Sequence, residues 1–387
     1  MLDCRRADFS LPDELHYLNC AYMSPLPRSV EEEGVRAIAR KRAPHSIVPA
    51  DFFDDADRIR ALFAELIGAD DSSRVALVPA VSYATSLIGR NTTAPAGSNV
   101  VMAAEQFPSN VYPWRRLAQR CGCEIRAVAA PDSANRGEAW NAELLDAIDA
   151  RTALVALPQV HWTDGTRFDL ERIGAACRAC GAAFVIDATQ SVGAFPFDIR
   201  DFGADMVTCA GYKWLMGPYG MGVAWIGPRY DAAEPLEDTW IGRAGSDDFR
   251  GLVNYRDDYQ PGAARFDVGE RSSFILLPML RRALELVREW GPERIQRYCR
   301  DLSADTIAEA AALGFRAEDE AWRGSHIFGL RAPAGLDIGE LQRALSERGV
   351  SVSLRGSAVR VSPYLYNDAP DMEALLGVLR DAVALVE

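Results

Sequence analysis

The sequence predicts an α/β fold: a large domain with a mostly parallel central sheet, followed by a smaller α+β C-terminal domain. Three observations predict it. From about residue 55, short apolar runs alternate with helical patterns, the rhythm of parallel strands joined by crossover helices. Several runs are apolar at every position, as suits strands covered by helices on both faces. After about residue 255 the texture shifts to long helices with a few late strands. The expected boundaries are 15–255 for the large domain and 256–387 for the small one. Residues 1–30 are expected to pack at the functional site or on the small domain.

The elements follow in order. Ile59, Leu62, Phe63, Leu66 and Ile67 form a helical stripe stopped by Gly68. Strands are expected at 75–78, 99–103, 153–157, 183–186, 206–209 and 223–226, with helices at 111–121 and 170–179 between them. Beyond 255 the pattern gives a long helix over 276–290, ended by Gly291-Pro292, and a second helix ending at Gly314. A strand near 327–330, a helix over 338–348, strands at 350–354 and 358–362 and a final helix complete the chain. No internal repeat or low-complexity linker interrupts it.

Composition bounds the function. The 387 residues are 49% hydrophobic and 25% charged, ordinary for a soluble globular protein, and too many for one core. A formal charge of −13 repels phosphate backbones, so no nucleic-acid partner is expected. The N-terminus carries charges throughout and lacks an apolar core. The longest uncharged stretch, 214–228, holds four glycines and two prolines and is too short to span a bilayer. A cytoplasmic protein with no membrane partner is the expectation. Among eight cysteines, the close pairs Cys121/Cys123 and Cys177/Cys180 have metal-like spacing. Cys177 and Cys180 fall inside a helix pattern, without the loop that a structural zinc site needs. They read as small buried side chains, and no metal is expected.

Ligands of open α/β sheets lie beyond the carboxyl ends of the strands, and four of those ends are chemically loaded. Phe184-Val-Ile-Asp187-Ala-Thr-Gln190 sets an acid directly after a buried run, costly unless a charge meets it; a helix cap or sheet-end salt bridge is the bland alternative. Met206-Val-Thr-Cys-Ala-Gly-Tyr212-Lys213 sets a lysine after another apolar run and before a glycine-rich turn. Partial desolvation there lowers its pKa and favours imine chemistry; a snorkelling surface lysine is the alternative. The acid and the lysine are 26 residues apart, about one strand–helix–strand unit, so both can reach one pocket. Leu77-Val-Pro-Ala-Val81-Ser82 runs into a helix N-terminus, whose free amides and dipole suit a phosphate, though Ser82 also reads as an ordinary cap. Phe107 follows the strand at 99–103 and suits stacking on a planar ring, or plain core packing. Acid, lysine, phosphate loop and aromatic together form the constellation that pyridoxal 5′-phosphate (PLP) requires. The glycine fingerprints of dehydrogenases and ATPases are absent.

On these motifs the chain resembles the class V aminotransferase superfamily of fold-type I PLP enzymes, which includes cysteine desulfurases, kynureninases and isopenicillin-N-epimerase-like proteins. The match runs from Tyr17-Leu-Asn-Cys-Ala21 to Arg360-Val-Ser-Pro-Tyr-Leu-Tyr-Asn367, strongest in the DATQS and YKWLMGPYGMG segments. The resemblance implies that Lys213 holds the cofactor as a Schiff base and shuttles the proton at Cα. It implies that Asp187 pairs with the pyridine nitrogen, Gln190 with the phenolic oxygen, and that Phe107 stacks on the ring. Val81, Ser82 and Tyr212 would hold the phosphate, joined by Ser272 or Ser273 reaching across to a partner subunit. Arg360 would grip the substrate carboxylate as a bidentate fork. His161 and Trp162 fall where the family meets the phenolic edge and the substrate. His16, His45 and His326 are expected to be structural.

Departures from the family matter as much. Tyr212-Lys213 replaces the His-Lys of desulfurases, Ala210 stands where they place a serine, and the stretch 352–360 has no nucleophilic cysteine. A persulfide-forming desulfurase is therefore disfavoured. The expected function is aminotransferase-type chemistry on an amino acid in a homodimer. A lyase or hydrolase of kynureninase or carbon–sulfur lyase type is the alternative, and a non-catalytic PLP-fold protein a more distant one.

Overall fold

A computed structural model describes residues 2–133 and 135–384. The N-terminal segment forms β1 (His16–Tyr17) and α1 (Arg28–Arg40), and α2 (Asp54–Leu66) precedes the main sheet. That sheet takes β2 (Val75–Val78), β3 (Asn99–Ala103), β4 (Glu124–Val128), β5 (Thr152–Pro158), β6 (Ala183–Asp187), β7 (Met206–Ala210) and β8 (Gly222–Ile226). Between them lie α3 (Val81–Asn91), α4 (Tyr112–Cys121), α5 (Arg136–Asp146), α6 (Leu170–Cys180) and α7 (Ile199–Phe202). Then follow α8 (Leu276–Trp290), α9 (Pro292–Ala312), β9 (Phe328–Arg331), α10 (Ile338–Glu347), β10 (Val350–Ser351), β11 (Ser353–Arg355), β12 (Ala358–Val361) and α11 (Ala369–Ala384).

The seven strands are ordered β2-β8-β7-β6-β5-β3-β4. Only β8 runs against the others, so the carboxyl ends of β2, β3, β5, β6 and β7 share one edge. Alternation along each strand splits the core in two. Leu77, Val101, Val155, Ile186 and Val207 face one side with α2, α6 and α8. Val78, Met102, Ala156, Val185 and Met206 face the other with α3 and α4. Both faces are dry, which is why these strands read as unbroken apolar runs. The edge strand β4, Glu-Ile-Arg-Ala-Val, is only partly buried and carries charges, so it shows no such run.

The second sheet is antiparallel, β11-β12-β9. The run expected as one strand over 350–354 is divided: Val350–Ser351 pairs in parallel with His16–Tyr17, and Ser353–Arg355 turns into the three-stranded sheet. Helix α8 lies on α1 and α2 and places Leu277, Leu280 and Leu284 in the core of the large sheet. We propose a two-part organisation whose boundary lies at Gly291 rather than at 255/256. The glycine there has φ of 75° and separates α8 from α9. The N-terminal segment meets both parts: Asn19 bridges to Ser362, and Ser24 donates to the carbonyl of Tyr212. No helix among the described residues is long and apolar enough to cross a membrane.

Candidate active site

Five strand ends converge on a cavity of about 300 Å³, lined by Val81, Ser82, Phe107, Trp162, Asp187, Gln190, Tyr212 and Lys213 among others. Asp187 is the last residue of β6, and Lys213 lies in the turn that reverses the chain between β7 and β8. The turn is tightly built: Met216 has φ of 55°, and a Cβ on Gly217 would come within 2.7 Å of the Leu280 side chain. Glu105, just before the loop carrying Phe107, also has a positive φ, 54°. These are the non-glycine residues with left-handed backbone among the described residues, and both sit within three residues of a cavity-lining residue.

Lys213 is one of two lysines in the chain, and the other, Lys41, is exposed at the end of α1. Lys213 is buried, with its Nζ 5.5 Å from the Phe107 ring and 5.7 Å from the Tyr212 ring. Burial brings its pKa down to about 8; the nearby Arg360 cation pushes the same way and Asp187 opposes. Asp187 is also buried, and burial pushes its carboxyl above the usual range despite donation from Thr189. No guanidinium or ammonium among the described residues lies within salt-bridge distance of it. A buried carboxylate that lacks a cation and opens on a cavity fits a protonated ring nitrogen.

At the opposite end of the cavity, α3 begins with Ala80 as its cap and no side-chain cap hydrogen bond. Ser82 is thus the second helical residue rather than a cap, and the free amides at this terminus suit a phosphate. The Phe107 ring is 40% exposed and meets Trp162 edge-on at 5.6 Å, leaving a face open to a planar group. Trp162 itself is pinned by donation to the carbonyl of Glu105. The donor set therefore fits PLP at both its charged ends and on its face.

The structure places the remaining expected residues less uniformly. Arg360 of β12 is buried behind Trp162; it donates to the Trp162 carbonyl, the Asn19 side chain and Ser353, and no carboxylate among the described residues pairs with it. His161 turns away from the cavity. Its Nε2 donates to the Ala104 carbonyl, its Nδ1 faces the Thr163 hydroxyl, and its ring packs on Trp140 and Phe168. Ser272 donates to the carbonyl of Phe52, and Ser273 accepts from the amide of Leu276; neither lines the cavity. Thr189, Gln106 and Ser109 line it without having been singled out, because short polar residues in loops carry no distinctive pattern. Arg355, in the segment 352–357, has its guanidinium 5.1 Å from the Trp162 ring.

Fold and cavity together suit an α/β enzyme class that carries a phosphate-bearing cofactor. Residues 41–375 match the family described as Aminotransferase class-V, and the chain belongs to that PLP-dependent family. It is 25% identical over 379 residues to the isopenicillin N epimerase of Streptomyces clavuligerus, covering 94% of this chain and 93% of that one. The apo cysteine desulfurase of Thermococcus onnurineus superposes with a TM-score of 0.84 at 21% identity, covering 99% of each chain. A variant of the protein C-DES, solved with glycine covalently linked to its PLP cofactor, superposes with a TM-score of 0.85 at 18% identity, covering 97% of this chain and 99% of that one.

Proposed function

We propose that this enzyme carries out aminotransferase-type chemistry on an amino acid, with Lys213 as the covalent anchor and proton carrier. The observation that carries the proposal is the buried confrontation of Lys213 and Asp187 in one cavity, with the lysine pKa brought down to about 8. When bound, PLP supplies an electron sink for the pair left at the substrate's Cα.

The chain's own residues do the rest. Asp187, with no cation at salt-bridge distance among the described residues, keeps a proton on the ring nitrogen. Val81 and Ser82 hold the phosphate at the start of α3, with Tyr212 beside them. Phe107 covers one ring face and excludes water from it. Gln190 donates to the phenolic oxygen. Arg360 fixes the substrate carboxylate, its guanidinium held in plane by Trp162, Asn19 and Ser353. Lys213, largely neutral above about pH 8, accepts the proton from Cα and returns it. Among the residues expected to touch substrate, Trp162 supplies a wall; His161, packed inward, supports the loop. Ser272 and Ser273 lie off the cavity of their own chain, which suits a homodimer in which one of them serves the partner's phosphate.

Side-chain cleavage by a lyase or hydrolase begins with the same proton removal. The visible spectrum separates the two when amino acids are added without a keto acid. A band that converts once to a stable amine-like form supports transamination. A band that recovers while product accumulates overturns it in favour of the lyase reading. The β11–β12 hairpin carries no cysteine, which argues against persulfide formation.

A further inference from the structure

The interior behind Gln190 holds a closed set of hydrogen bonds that the proposed chemistry does not use. Trp214, next to the anchoring lysine, is fully buried, and its Nε1 lies 2.8 Å from the Gln190 Oε1. An indole N–H can only donate, so the amide oxygen of Gln190 must face Trp214 and its nitrogen must face the other way. One hydrogen of that nitrogen goes to the carbonyl of Ala21, at 3.2 Å. The second is left for the cavity that Gln190 lines.

The main chain of Gln190 is held from the C-terminal part. His326 Nε2 lies 2.7 Å from the Gln190 carbonyl, which can only accept, so that nitrogen carries the proton. The His326 Nδ1 then accepts from Gln296 Nε2 at 2.7 Å. Gln296 also donates to the Ala194 carbonyl at 2.7 Å and accepts from the Ser325 amide at 2.9 Å. His326 is fully buried, and burial lowers its pKa to about 4, which keeps it in this neutral form. Its ring meets Trp214 edge-on at 4.6 Å. The donor and acceptor roles in this chain are thereby fixed, and a network fixed in this way admits one orientation of the amide.

We infer that Trp214 and His326 are positioning residues that lock Gln190 with its N–H toward the phenolic oxygen of the cofactor. The inference rests on the functional reading above and deepens it. Without the indole N–H, only the longer bond to the Ala21 carbonyl still selects the orientation of the Gln190 amide, and its N–H is held toward the cavity less firmly. The donor on the phenolic oxygen is then weakened, and the proton shared between that oxygen and the lysine nitrogen is held more tightly. The pH midpoint of the cofactor's visible band therefore rises.

The test is a pH titration of that band in the holoenzyme and in the Trp214→Phe, Gln190→Ala and doubly substituted proteins. Asp187, Tyr212, Lys213 and Tyr219, the titratable groups that line the cavity, and Arg360 behind Trp162 are the same in all four, so the differences read the amide. Trp214→Phe is expected to raise the midpoint by about one unit, the order of one hydrogen bond to a charged group. It should add nothing on the Gln190→Ala background. An unmoved midpoint, or a shift that persists without Gln190, overturns the inference. Should Trp214→Phe not fold, His326 decides the matter: His326→Phe raises the midpoint, whereas His326→Gln, with an amide N–H near the Nε2 position, leaves it at the wild-type value. Equal midpoints for those two variants sink the proposal. A colourless wild type defeats the functional reading itself, and this inference with it.

Discussion

Lys213 and Asp187 are the two groups whose protonation the fold distorts most usefully, in opposite senses. For Lys213, burial first and Arg360 second lower the pKa from 10.5 to about 8. Only the neutral amine attacks a carbonyl, so the rate at which apoprotein captures PLP should rise with pH and reach half its limit near pH 8. Stopped-flow absorbance would measure it. Arg360→Met removes a cation that disfavours the charged lysine, so that midpoint should move to higher pH. Asp187 carries the reverse burden: its folded pKa lies above the ordinary value, so the charged form costs stability once pH exceeds that value. Asp187→Asn keeps an acceptor for Thr189 and discards the charge. The apo variant should therefore melt a few degrees above apo wild type at pH 7, and the gap should close as pH falls through the raised pKa. The same variant should lose the visible band. Both residues were legible in the sequence because a charged side chain directly after an unbroken apolar run has few cheap explanations. His161 follows a strand in the same way and points elsewhere, since the Ala104 carbonyl and Thr163 capture its ring. Nothing in the spacing carries that orientation.

The strands legible in the sequence are those with both faces buried, and β2, β3 and β5 to β8 all lie where the apolar runs do. The elements that were not legible depend on distant partners. β1 is two residues held by Val350 and Ser351, β4 is a charged edge, and Val352 ends one pairing before Ser353 begins another. The supports of the lysine turn belong to the same class. Gly193 has φ of 99°, and a Cβ there would come within 2.4 Å of the Trp214 carbonyl. Gly193→Ala should destabilise the protein by about 2 kcal/mol or more, read as a lower midpoint in chemical denaturation. Because Trp214 adjoins Lys213, the variant should also hold PLP less tightly. His326 was expected to be structural, and its geometry gives it a part in the site only through Gln190 and Gln296, which lie 136 and 30 residues away along the chain.

At the scale of the whole molecule, the large sheet is tied to its surroundings by a buried ionic cluster. Asp267 receives Arg60 from α2, Arg271 and the amide of Leu77 in β2, and all three charged side chains are buried. Asp267→Asn would strand two guanidinium groups, at a cost of about 3–5 kcal/mol readable by denaturant titration. The fold class was legible from apolar runs alternating with helical patterns, and the family chiefly from motifs at strand ends, because cofactor chemistry gathers there in open α/β sheets. Whether two copies of the chain pair, and which side chain the substrate carries, were not, since both depend on surfaces that no run of residues reveals. We propose that this fold serves to hold PLP on Lys213, and the chain has one other lysine with which to confuse it, the exposed Lys41. The most direct measurement is borohydride reduction of the purified holoprotein, followed by digestion and mass spectrometry of the lysine-bearing peptides. We expect the phosphopyridoxyl mass on the peptide containing Lys213, and none on that containing Lys41. The adduct on Lys41 alone, or no adduct after incubation with PLP, would contradict the account.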